Sequence, residues 1–211
     1  MRTSVVIVGG GVMGAATACF LARDHGAAVT VLERDPRHTR ASSALSASSI
    51  RQQFSQPANI ALSQWSLDFL RRAGDELAVD GEAPALGLVE PGYLYLAADA
   101  LGADRLRANH AVQTAAGADI RLLDPDALAA RFPWLAVHDL ALGAWGASGE
   151  GWFDGPALHQ AFRRKARACG AAFVAAEATG FETAGDRVTA VRCADGTRHA
   201  GDAVVLAAGA W

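Results

Sequence analysis

Val5-Val6-Ile7-Val8-Gly9-Gly10-Gly11-Val12-Met13-Gly14 is the stretch on which the fold turns. Four consecutive apolar, β-branched residues suit a strand covered on both faces. The glycines follow with no spacer. Val12 to Ala22 then repeats apolar residues at helical spacing, and Gly26 is placed to stop that helix. Ala28 to Leu32 is a second buried strand, ending at Glu33. Strand, glycine turn, helix and strand in this order open a βαβ unit of an α/β protein with a parallel sheet.

The spacing Gly9-x-Gly11-x-x-Gly14 gains its meaning from that context. Gly9 permits the tight turn, Gly11 lets a pyrophosphate approach the backbone, and Gly14 lets the helix pack on the strand. The free amides of the first helical turn, at the positive end of its dipole, then face a diphosphate. Glu33 lies at the end of the second strand, where a carboxylate accepts hydrogen bonds from a ribose diol. A carboxylate there disfavours a ribose 2′-phosphate. It does not separate NAD from FAD, because the two share the adenosine diphosphate half that these residues address.

Composition narrows the rest. The 211 residues are 51% hydrophobic and 19% charged, with a formal net charge of -3. No long basic run suggests a nucleic-acid surface. Cys19, Cys169 and Cys193 are widely spaced, with no CxxC, and are expected as idle thiols in a reducing compartment. No basic segment precedes the first apolar run, so no signal peptide or membrane span is expected and a cytoplasmic protein is the default. His25, His110, His138, His159 and His199 share no ligand spacing and read as surface or structural residues; no metal site is expected.

Residues 35–59, rich in serine, read as a loop with one short helical turn. A helix follows through Ile60, Trp65 and Leu70 and ends near Gly74. Gly92 to Ala97 reads as a strand with Tyr93 and Tyr95 on one face. Helices are expected at Leu101–His110, at Asp126–Arg131 behind an Asp124 cap, and at Ala157–Arg167 up to Gly170, with a strand-rich stretch around Leu140–Trp145. Arg163, Arg164, Lys165 and Arg167 read as a solvated face, and Trp134, Trp145 and Trp152 as packing or surface-serving residues. Three tail strands are expected at Ala172–Ala175, Arg187–Cys193 and Asp202–Ala207, with Asp195-Gly196 as the hairpin turn between the last two.

Five segments together resemble the flavin-dependent amine and amino-acid oxidoreductases, the family of D-amino-acid oxidase, glycine oxidase and sarcosine oxidase. They are the opening glycine stretch, Val31-Leu-Glu-Arg34, the serine-rich Ala41 to Phe54, Gly151-Trp-Phe-Asp-Gly-Pro-Ala-Leu158, and Val204-Val-Leu-Ala-Ala-Gly-Ala-Trp211. Gln52-Gln-Phe-Ser and Asn59-Ile resemble the subgroup around the oxidoreductase that assists respiratory complex I assembly. The resemblance implies a Rossmann-like FAD-binding domain with the start of an interleaved antiparallel-sheet substrate domain: residues 1–85 and 151–211 for the cofactor, 86–150 for the substrate portion. It implies FAD, with Gly9, Gly11, Val12, Met13 and Gly14 along the pyrophosphate and Glu33 and Arg34 on the adenosine side. Ser42 and Ser43 would meet the diphosphate or ribityl chain, Ala178 the adenine, and Ala208 and Gly209 would pass close by. Arg51, the only charged residue between Arg40 and Asp68, is the catalytic candidate, placing positive charge near a flavin ring or a substrate carboxylate.

The implied activity is hydride removal from the C–N bond of an amine, N-methyl amino acid or amino acid, with an unspecified electron acceptor. The alternatives are an assembly or chaperone-like protein that keeps the fold without catalysis, and an NAD-dependent reductase. Ala44 and Leu45 stand where some members carry a flavin-linking histidine, and Ser48 where some carry a second arginine. Family members run beyond Trp211, so a truncated form with open apolar surfaces prone to association is expected.

Overall fold

In the computed structural model, which describes residues 2–210, β1 (Ser4–Val8) leads through the glycines into α1 (Val12–His25). Gly26, with φ of 60°, ends α1 in the left-handed conformation, and β2 (Ala28–Glu33) follows. The expected helical turn in residues 35–59 lies at Ala41–Leu45, where the Leu45 N–H donates to the Ala41 carbonyl at 3.2 Å. That segment also holds β3 (Ser49–Ile50) and the start of α2 (Pro57–Glu76). α2 ends at Glu76, two residues past Gly74, close to where the sequence places its end.

β4 (Tyr93–Ala97) precedes α3 (Ala100–Ala115), β5 (Ile120–Leu123), α4 (Pro125–Arg131), β6 (Leu142–Gly146), β7 (Gly151–Trp152) and α5 (Gly155–Ala168). Asp99, Asp124 and Asp154 cap the three helices, each carboxylate accepting from the backbone N–H three residues on, at 2.7, 2.8 and 2.8 Å. The chain closes with β8 (Ala172–Ala175), β9 (Ala178–Ala184), β10 (Arg187–Cys193), β11 (Arg198–Ala200) and β12 (Ala203–Leu206). β5, β9 and β11 correct the sequence reading. In β9 the apolar pattern is interrupted at Gly180 although the strand runs on through it, and β11 is three residues of mixed polarity, so neither carries a clear alternating pattern. The Asp195-Gly196 turn consequently joins β10 to β11, with the Gly196 N–H donating to the Cys193 carbonyl at 3.0 Å.

The chain divides into two compact units. The first comprises residues up to Ala47, Ala73–Leu86, and the chain from Asp154 on. Its parallel sheet has the order β12-β1-β2-β8, with Val5 opposite both Ala203 and Val29. Strand alternation sends Val6 and Val8 into a cluster with Val191 and Cys193 of the antiparallel β11-β10-β9 sheet. Ile7 points the other way, where a Cβ on Gly14 would stand 3.4 Å from its Cγ2. Phe20 of α1 and Phe162 of α5 meet at a tilt of 58°, with ring centroids 5.9 Å apart.

The second unit comprises Ser48–Arg72 and Gly87–Phe153. Its antiparallel sheet has the order β4-β6-β5, and β3 pairs with β7. The division expected at residues 85 and 86 therefore misses one exchange: residues 48–72 group with the second unit. Ile60 is buried with Ala118, Ile120 and Ala144, and Ser49 pairs with Trp152, which ties that segment down. Trp145 is held by Phe132 at 5.9 Å and by the Arg131 guanidinium at 4.4 Å, whereas Trp134 is 77% exposed. Among the described residues no helix is long and apolar enough to cross a membrane, and no group of three metal-ligating side chains comes together. Trp211, the last residue of the fifth matching segment, lies outside the described residues.

Candidate functional site

The first unit opens a cavity of about 590 Å³ beyond the carboxyl ends of β1, β2 and β12. That is the edge at which parallel α/β sheets bind ligands, and the volume falls in the range of small-molecule pockets. The glycine turn forms its floor. Gly9 has φ of 102°, and a Cβ there would lie 2.3 Å from the Ala207 carbonyl oxygen. At Gly14 a Cβ would lie 1.9 Å from the Gly9 carbonyl oxygen, so this glycine makes room for the turn itself as well as for helix packing. Gly11 differs. A Cβ there meets nothing closer than the Ser43 hydroxyl at 4.0 Å and would project into the space a ligand needs.

Glu33 closes the site. One carboxylate oxygen accepts from the Gly10 N–H at 2.8 Å and the other from the Asp35 N–H at 2.7 Å. Each oxygen retains a lone pair for a further donor, which a ribose diol supplies. The residues fit an adenosine diphosphate moiety: bare amides at a helix start, a cradle that any side chain at Gly11 would fill, and an anchored carboxylate one strand away.

Of the expected cofactor residues, Gly9, Gly11, Val12, Met13, Glu33, Arg34, Ser42, Ser43, Ala178, Ala208 and Gly209 all line this cavity, and Gly14 stands behind it. Arg34 also lies 3.8 Å from Glu177 in an exposed pair of little energetic weight. Sequence reasoning missed His38, which lines the same cavity, is 6% exposed and has φ of 55°. It also missed His159, whose Nε2 donates to the Gly10 carbonyl at 2.8 Å from the face of α5. Arg163, read as part of a solvated face, is half-buried instead and lies over Phe173 at 5.5 Å. Its helical spacing of four from His159 was the available signal.

Arg51 belongs to the second unit and lines no part of this cavity. Its guanidinium lies 5.0 Å from the centroid of Phe54 and 5.7 Å from that of Tyr93, and its Nε is buried with no hydrogen-bond partner. The Arg51 carbonyl accepts from Ser63 Oγ. The next two residues are gripped by Glu150, a carboxylate that is 0% exposed. It accepts from the Gln52 N–H at 2.5 Å and from Gln53 Nε2 at 2.8 Å. Burial pushes the Glu150 carboxyl up, opposed by these donors and by the Arg51 charge. A Cβ on Gly146 would strike this carboxylate at 1.7 Å, so the glycine in β6 makes room for it. Tyr93 and Tyr95 do share a face, with ring centroids 5.4 Å apart.

Fold and cavity together define a dinucleotide-binding α/β protein. The chain belongs to the FAD dependent oxidoreductase family, which it matches over residues 4–211. It is 41% identical over 233 aligned positions to FAD-dependent oxidoreductase domain-containing protein 1 of Xenopus laevis, covering 100% of this chain and 46% of that protein. The protein of that name from Bos taurus is 43% identical over 185 positions, covering 85% of this chain and 38% of the relative. Among solved structures, L-proline dehydrogenase from P. horikoshii superimposes with a TM-score of 0.84 at 26% identity, covering 100% of this chain and 54% of that one. Glycine oxidase from Geobacillus kaustophilus gives 0.84 at 28%, covering 100% and 56%. The chain thus spans about half the length of the relatives it matches.

Proposed function

We propose that the chain carries the adenosine-diphosphate-binding part of a flavin enzyme that oxidises the C–N bond of an amine, N-methyl amino acid or amino acid. The observation that carries the cofactor reading is the cavity in which Gly11, Glu33, Ser42 and Ala208 converge. The substrate class is supported by the glycine oxidase and L-proline dehydrogenase to which the fold is similar. When bound, FAD would supply the hydride acceptor. The chain's own residues bind and orient: the α1 amides hold the diphosphate, Glu33 accepts from the ribose, and the small Ser42 and Ser43 hydroxyls donate without bulk. Arg51 offers a delocalised charge stacked on two rings with an unused Nε–H, suited to a substrate carboxylate. A small-molecule substrate in a reducing, cytoplasmic setting completes the reading, in keeping with Cys19, Cys169 and Cys193 all being free thiols.

Purified protein reconstituted with FAD should show the oxidised flavin absorption band, and anaerobic sarcosine, glycine or proline should bleach it. Flavin that binds without bleaching by any amine or amino acid would favour a non-catalytic assembly role. Absence of flavin after reconstitution would sink the cofactor reading. Arg51→Met should raise KM for a carboxylate-bearing substrate much more than it lowers kcat, which an exposed structural arginine would not do.

A further inference from the structure

Behind Glu33 stands a closed ring of contacts within the first unit. The Gly10 N–H donates to Glu33, and the Gly10 carbonyl accepts from His159 Nε2. The His159 ring meets His38 edge-on, with centroids 4.5 Å apart at 86°. His38 Nδ1 returns to Glu33 Oε2 at 3.8 Å, close enough for charge to matter and too far for a hydrogen bond. His38 Nε2 is buried with no partner, and so is Arg163 Nε on the neighbouring helix.

The groups facing His38 are therefore Glu33 of β2, Asp35 of its own loop, and His159 and Arg163 of α5. Two of these charges favour an imidazolium, and Arg163 opposes it. Burial, the largest influence, also opposes it and holds both histidines below their ordinary value. At neutral pH the pair is neutral. In acid one ring takes the proton, and the two cannot both carry one at this separation without strong repulsion.

We propose that His38 is a positioning residue of the adenosine-ribose site: as a neutral imidazole it leaves Glu33 to the ribose hydroxyls, and as an imidazolium it takes Glu33 for itself, so that acid weakens cofactor binding. The proposal rests on the reading of the cavity as an adenosine diphosphate site. Its physical basis is competition for one carboxylate. A proton on His38 and a ribose diol both engage Glu33, so each disfavours the other. An imidazolium also attracts any diphosphate, and that effect has the opposite sign. A probe without the diol separates the two.

The test compares ADP with 2′,3′-dideoxy-ADP by titration calorimetry between pH 7.5 and pH 5.0, with circular dichroism verifying the fold throughout. Titration of the terminal phosphate is common to both probes and cancels in the ratio of their affinities. ADP should bind more tightly at pH 7.5, and its advantage should shrink about tenfold by pH 5.0, the worth of one hydrogen bond to a charged acceptor. In His38→Asn the advantage should persist at both pH values. Asparagine is the apt replacement because it tolerates the positive φ of this position. A pH-independent advantage in the unaltered protein, or shrinkage that survives in His38→Asn, overturns the proposal. If His38→Asn does not fold, the probe ratio in the unaltered protein still decides. Failure of ADP to bind at any pH defeats the cavity reading itself, and this one with it.

Discussion

The glycine turn of the first unit and the Arg51–Phe54 segment of the second are built on opposite plans. The turn is made of backbone: Gly9 and Gly14 stand where side chains do not fit, Gly11 leaves the space in front of it open, and the groups they present are amides. The Arg51 segment is made of side chains, with Glu150 gripping Gln52 and Gln53, Gln52 Nε2 donating to the Gly149 carbonyl, and Gln53 Nε2 donating also to the Tyr93 carbonyl. A backbone-built site tolerates change in what surrounds it and fails at its glycines. A network of buried polar side chains fails when one member is removed, because the remaining donors lose their acceptor in a place water does not reach. The two also answer to pH in opposite senses. The buried histidines beside the turn have lowered values, so their share of stability is present above the ordinary histidine value and lost as pH falls. Glu150 has a raised value, so its share is present below the ordinary glutamate value and lost as pH rises through the folded one.

Substitutions can sharpen or break that contrast. The largest effect is expected from Gly14→Val, whose Cβ has to displace the Gly9 carbonyl; about 3 kcal/mol of stability should be lost in urea unfolding, and FAD retention with it. Glu150→Ala should cost about 2–3 kcal/mol by leaving buried donors unpaired. Because it lies outside the cofactor cavity, ADP affinity of the folded protein should stay unchanged; a parallel loss of ADP binding would break the contrast. Gly11→Val is the converse case. Its side chain meets open space, so the thermal midpoint should hold, while flavin binding followed by fluorescence quenching should weaken about a hundredfold, or ~2.7 kcal/mol. Glu150→Gln should flatten the loss of stability at rising pH, a slope of at most about 1.4 kcal/mol per pH unit for one proton. Ser42→Ala should be smallest, with FAD affinity falling about threefold on loss of one neutral hydrogen bond.

How much of this was legible in the sequence follows from the same contrast. A glycine required by sterics leaves a mark that spacing reveals, and the eleven cavity-lining residues expected from the sequence meet in one place. Asp124 was equally readable as a cap because its partner, the Ala127 N–H, lies three residues away. Glu150 was not readable: its partners are 97 and 98 residues distant, and nothing local marks a glutamate as buried. The same holds for His159, 149 residues from the carbonyl it binds. The exchange of residues 48–72 between units was hidden because it rests on Ile60 finding Ala118, Ile120 and Ala144, contacts that periodicity within α2 cannot report.

The pairing of β1 with β12 has a consequence for how the protein is made. Asp202 accepts from both the backbone N–H and the hydroxyl of Ser4, across 198 residues of chain. At ribosomal speeds of about 5–20 residues per second, the first strand waits about 10–40 s for its neighbour to be synthesised. During that interval one hydrogen-bonding edge of Ser4–Val8 is bare while the glycine turn hangs from its end. The glycine turn, which lies near the start of this sequence, is therefore among the last parts of it to be completed, because its supporting edge waits for residues 203–206 to emerge.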